Sequence, residues 1–157
     1  MGANDKYDRR KDRMMKTALT SINKPHVDNI LDIKKDIEWR TKPLPLGHHL
    51  AYETKRHGGR GMVVGSFYVV RNYVFNDVDE IPTHFIRRGK VSRNFIGRYA
   101  KGRKIYANVI TDAERFCNPM HISELTSFRT GKPLSVPPQS FLYVDLQHYI
   151  KFAQVED

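Results

Sequence analysis

The chain has a single cysteine, Cys117, so it can build neither an internal disulfide framework nor a cysteine-rich zinc site. It has no run approaching the ~20 apolar residues that a membrane helix needs. Internal repeats and low-complexity tracts are missing, and so is any complete phosphate-loop or dinucleotide signature. Apolar residues, at 39%, are slightly scarce. Eight Phe, eight Tyr and clusters of Val and Ile are nevertheless too much apolar material for a solvated coil. A chain of 157 residues is most simply one compact unit with a real core. Charge from Asp5 through Lys16 argues against a secretory signal, so the expected setting is intracellular.

Acidic residues are absent from 81–111, and that absence is the most informative. The whole chain carries 27 Lys and Arg against 17 Asp and Glu, a formal net charge of +10. Eight of those cations fall in 81–111: Arg87, Arg88, Lys90, Arg93, Arg98, Lys101, Arg103 and Lys104. Like charges without an internal counterion repel one another and add nothing obvious to a fold, so an external anion is expected to meet them. Arg56 and Arg60, flanking the glycines of His57-Gly-Gly-Arg-Gly61, join them as candidate phosphate contacts. Arg9, Arg10 and Arg13 are secondary candidates. Phe95 and Tyr99 stand among these cations at helical spacing, which reads as core-facing before it reads as base-stacking.

Periodicity predicts a helix from Asp5 to Asn23, with Met14, Met15, Ala18, Leu19 and Ile22 on one face. After Pro25 it predicts a second from about His26 to Trp39. Pro43 and Pro45 mark an extended linker, and His48 to Gly61 reads as a polar, flexible loop. Met62 to Phe75 is strand-like, Thr83 to Arg88 could be another strand, and Val91 to Lys101 fits a short helix stopped by Gly102. A strand is expected over Lys104 to Ile110, and Thr111-Asp-Ala-Glu114 matches a capping box opening a helix. The three prolines of 126–140 suggest an ordered loop, and Phe141 to Phe152 alternates as a strand with His148 on its apolar face. The expected fold class is therefore α+β: a helical N-terminal arm of two helices, then a small mixed or antiparallel sheet with one or two short helices. The corresponding divisions are 1–42 for the arm, 43–61 for the linker and Gly-rich loop, and 62–157 for the body.

Chemistry is harder to read. His48, His49 and His57 match no metal-ligand spacing and read as solvated loop histidines, so neither metal nor cofactor is implied. His121-Ile-Ser123 has the H-x-S form that some phosphodiesterases use in pairs, but only one copy is present. Cys117 lacks an evident activating base and reads as a small buried hydrophobe. No catalytic residue is assigned. A short basic chain without an enzyme signature has the general look of a small viral or phage accessory protein. The leading expectation is a nucleic-acid-binding protein, DNA or RNA unresolved, gripping the phosphate backbone through 87–104. The alternatives are a structural subunit that meets protein partners through its N-terminal helices, and a phosphodiester hydrolase or nuclease using His121. A membrane partner is not expected.

Overall fold

The computed structural model describes residues 16–145. Six strands form one mixed sheet: β1 Lys16–Ile22, β2 Ile37–Arg40, β3 Gly47–Glu53, β4 Met62–Phe75, β5 Ile105–Met120 and β6 Phe141–Asp145. Their order across the sheet is β2-β5-β4-β3-β1-β6. β1 runs parallel to β3, and the other neighbours are antiparallel. Three short helices decorate it: α1 His26–Leu31, α2 Thr83–Gly89 and α3 Arg93–Ala100.

This corrects the expected fold class. Within the described residues the N-terminal arm of two helices does not exist; residues 5–15, where the first would begin, lie outside them. Lys16–Ile22 is an inner strand, and six of its seven residues are buried. A strand covered on both faces loses the period of two, and its apolar residues then fall at helix-like intervals by accident. The threonines are the missed signal, because β-branched residues favour strands. Thr17 donates to the carbonyl of His48 at 2.8 Å, and the Ser21 hydroxyl donates to that of Pro138 at 2.6 Å. The second helix is real only from His26 to Leu31. Ile33, at φ 59°, turns the chain out of it, and Ile37–Arg40 pairs with β5.

Three further segments differ from expectation. Most of His48 to Glu53 is buried strand rather than flexible loop. Thr83 to Arg88 is helix, not strand. The capping-box residues Thr111 to Glu114 continue β5 as a bulge: Ser66 pairs with Glu114 and Tyr68 with Thr111, so β5 holds one extra residue, and Asp112 takes φ 51°. Met62–Phe75 and Arg93–Ala100 form the strand and short helix that their patterns predict. Strand pairing at the C-terminal end is described to Asp145, and His148 lies outside the described residues.

Apolar residues cover both faces of the sheet. Val27, Ile30 and Leu31 of α1 pack on Ile22, Ala51, Val64, Phe67 and Ile110. The opposite face buries Leu19, Leu50, Tyr52, Val63 and Val144 under Ile122, Leu125 and Leu134. At the β2 end, Phe85 of α2 with Ile96 and Ala100 of α3 closes over Ile37, Trp39, Ile105 and Ala107. Gly89 packs so tightly there that a Cβ would sit inside the Trp39 indole, 2.7 Å from its Cε2. Gly89→Ala should therefore displace the ring and cost about 1–3 kcal/mol. A urea titration checks this: a lower midpoint is expected, and an unchanged midpoint would contradict the packing.

The sheet curls. Arg40 on β2 donates from Nη2 to the carbonyl of Ser21 on β1 at 2.8 Å. Those strands are four places apart, which in a flat sheet is about 19 Å, far beyond an arginine side chain. Register shifts at several points of β4 and β5, and one between Ala51 and Tyr52 of β3, supply the bending. The gap left between β2 and β1 positions the site.

Candidate functional site

A cleft of about 800 Å3 opens along that gap. Ser21 and Asn23, alternate residues at the end of β1, line it together with Tyr52 and Thr54 from the end of β3. Thr54 donates to the Asn23 carboxamide oxygen at 2.5 Å, tying the two strand ends together. α3 contributes Phe95, Ile96 and Tyr99, and the loop after β5 contributes His121 and Ser135.

A buried ionic cluster lies between α1 and β2. Glu38 receives Lys35 Nζ at 3.0 Å on one carboxylate oxygen. Its other oxygen receives Arg40 Nη2 at 3.0 Å and Nε at 3.2 Å. Burial would raise the Glu38 carboxyl, but Lys35 and then Arg40 overcome it and hold it at about 2. Lys35 Nζ also lies 3.5 Å from His26 Nδ1. Burial lowers the His26 imidazole below its ordinary value, and the Lys35 charge lowers it further. An ammonium at Nδ1 leaves the ring proton on Nε2.

His121 is held in the same sense. Its Nδ1 accepts the backbone N–H of Ser123 at 3.1 Å, capping the short turn Ile122–Glu124, which leaves Nε2 as the protonated ring nitrogen. The structure thus brings His121 and His26 to one cleft, each as a hydrogen-bond donor through Nε2. The other histidines belong elsewhere. His49 is buried in β3, stacked on Phe67 with ring centroids 5.0 Å apart. Its Nε2 donates to the Pro45 carbonyl at 2.7 Å, so its Nδ1 accepts from the Thr20 hydroxyl at 2.6 Å. Burial lowers His49 to about 4 despite the Pro45 bond, so the native state keeps it neutral where the unfolded chain would be protonated. Folded stability should therefore be complete above pH 6.5 and fall by about 3 kcal/mol as pH drops to about 4. His49→Asn should flatten that part of a stability–pH profile, and an unchanged profile would remove the assignment. His57 is exposed in the turn Arg56–Gly58. Among the described residues no three His, Cys, Asp or Glu side chains gather as a metal site would require. Cys117 is exposed rather than buried.

The cations flagged in the sequence divide by place. Arg56, with Lys55, lines the cleft. Buried Glu53 holds that loop in position, since its carboxylate accepts the Arg60 backbone N–H at 2.7 Å and its carbonyl accepts that of Gly61 at 3.1 Å. Arg98 is exposed on α3, followed by exposed Lys101, Arg103 and Lys104 at the exit of that helix. Arg103 is drawn back onto the carbonyls of Ala100 at 3.0 Å and Tyr99 at 3.3 Å. Arg93 is tied to the Val78 carbonyl at 2.6 Å. Arg87 and Lys90 are exposed on and just after α2. Arg88 pairs with Asp36 at 3.0 Å and lies over the Phe85 ring; among the described residues it is the only one of the eight paired with a carboxylate. No motif or spacing in the sequence marks Lys35, Glu38 and Arg40, the ionic centre of the cleft.

No family model and no curated protein matches this chain. Solved structures do. The ASCH protein of Zymomonas mobilis superposes with a TM-score of 0.67 at 22% identity, over 88% of this chain and 94% of that one. Two single-residue variants of it give TM-scores of 0.69, at 21% and 22% identity, covering 88% and 92% of this chain and 97% of each variant. This chain has the ASCH fold. Against that fold, the curled six-stranded sheet belongs to the shared scaffold, while the charges at the mouth of the cleft are read from this chain alone.

Proposed function

We propose that this protein binds RNA, drawing the strand across the cleft between β1 and β2 with its phosphates against the cations around the mouth. The observation that carries this is the charge of the cleft wall. Lys35, Arg40, Lys55 and Arg56 line it against one carboxylate, Glu38, which Lys35 and Arg40 already engage. His26 and His121 add ring Nε2–H donors suited to phosphate or carbonyl oxygens. The acid-free cationic stretch 81–111 supplies the adjoining α3 and its exit. The ASCH fold occurs in RNA-binding proteins, which supports RNA over DNA as a fold-level analogy.

Binding of this kind is governed by counterion release. With about four phosphates met on a single strand, affinity should fall about 50-fold between about 50 and about 200 mM salt. Fluorescence anisotropy with a labelled oligoribonucleotide and its DNA counterpart measures this. A steep salt slope with tighter RNA binding is expected, and failure to bind either strand at the lower salt would overturn the reading.

A further inference from the structure

We propose that Phe95 and Tyr99 form a stacking platform for unpaired bases, which makes the occupant of the cleft a single strand rather than a duplex. The inference rests on the RNA-binding reading and adds what that reading leaves open, the state of the strand.

The two rings are one helical turn apart on α3 and therefore share a face. Helical spacing alone assigns them to the core, but the core contacts of α3 are made by Ile96 and Ala100. Phe95 remains 43% exposed and Tyr99 39% exposed, and both line the cleft. Large rings left open to water on a helix this short are costly to solubility unless something covers them. They are also held in place. The Ser92 hydroxyl caps α3 by accepting the Phe95 backbone N–H at 3.1 Å, and Lys101 and Gly102, both at positive φ, end the helix one turn later. The Phe95 ring stands 6.1 Å from that of His26, tilted by 50°, so it abuts the donor wall of the cleft.

The surroundings select the occupant. Arg98 is exposed on the same helix, three residues after Phe95, exposed Lys101 and Lys104 follow at its exit, and Lys55 and Arg56 line the cleft with the rings. An apolar protein partner would not need this charge, and a simple anion would not need the rings. A strand with flat apolar faces joined by phosphates needs both. In a duplex the base faces are stacked on each other and unavailable, so the platform discriminates against paired strands.

The test uses an oligoribonucleotide carrying 2-aminopurine, whose fluorescence is quenched when the base stacks. The unaltered chain should quench it on binding and should prefer the single strand to the same sequence in a duplex. Phe95→Leu and Tyr99→Leu keep apolar bulk while removing the ring, and each should weaken single-strand binding about tenfold. The doubly substituted chain should lose the quenching and the preference, yet keep a salt-dependent affinity for both forms. Phe95→Tyr should retain quenching. If the double variant binds and quenches as before, or if the unaltered chain binds duplex equally well, the platform is overturned while RNA binding stands. If the unaltered chain binds no strand at low salt, the RNA-binding reading fails first and the platform with it.

Discussion

Glu38→Gln is expected to lower the unfolding free energy by about 3–5 kcal/mol, the usual consequence of removing one partner of a buried ion cluster. Lys35 is 3% exposed, and Glu38 is the carboxylate that neutralises it at 3.0 Å. With the carboxylate gone, a buried ammonium and the Arg40 guanidinium face each other without a counter-charge. The native state also depends on pH through this residue. Its folded value is about 2 and its ordinary value 4.5, so the contribution is present above pH 4.5 and is lost as pH falls through about 2. The difference corresponds to about 3 kcal/mol. Urea unfolding at neutral pH and in acid checks both claims: Glu38→Gln should start less stable and lose less on acidification. Lys35→Met combined with Glu38→Leu should recover part of the neutral-pH loss, because the buried ammonium leaves with the carboxylate and only the less deeply buried Arg40, still bonded to the Ser21 carbonyl, loses its partner. Equal stability of Glu38→Gln and the unaltered chain would mean that the cluster is solvated and the cleft differently built.

That cluster shows where sequence reasoning stops. Lys35 and Glu38 are three residues apart, and inside an expected helix such a pair reads as an ordinary surface contact. The better signal was Ile37-Glu38-Trp39-Arg40, which alternates apolar and charged residues as a strand does. It was masked by the helix preceding it, and that helix ends only because Ile33 takes a left-handed conformation. β1 and β3 were obscured differently. Their buried Thr, Ser and His side chains look like loop composition, and they are satisfied largely by partners distant in sequence, such as His49 for Thr20 and Pro138 for Ser21. β4 and α3 were legible because their patterns are local. The cationic stretch was legible as charge, but its division between two helices was not. Nor could spacing alone reveal that Phe95 and Tyr99 face outward while Ile96 and Ala100 face in.

The division of the cations carries the second large expected effect. If phosphates run across the cleft, the charges that matter are those that line it and those on α3, the helix that lends it Phe95 and Tyr99, not the whole run 87–104. Lys55→Ser with Arg56→Ser, combined with Arg98→Ser and Lys101→Ser, should flatten the salt dependence by about 3 in logarithmic slope. At about 50 mM salt this should weaken RNA binding by at least about 100-fold, the loss of four charge contacts outweighing any single stacking term. Arg87→Ser with Lys90→Ser removes two exposed cations of the same stretch from α2 and its end; α2 contributes no residue to the cleft wall, whereas α3, which carries Arg98 and ends at Lys101, contributes Phe95, Ile96 and Tyr99. That pair should cost only a few-fold, through the general field of a basic protein. All six residues are exposed, so folding should be little disturbed, and a thermal melt of each variant verifies it. Comparable losses per residue from both sets would mean that the cations act as a diffuse field, and the strand would then have no defined path past β1 and β2. A loss confined to the first set would place the backbone along Lys55, Arg56 and α3, a route that also brings bases to Phe95 and Tyr99.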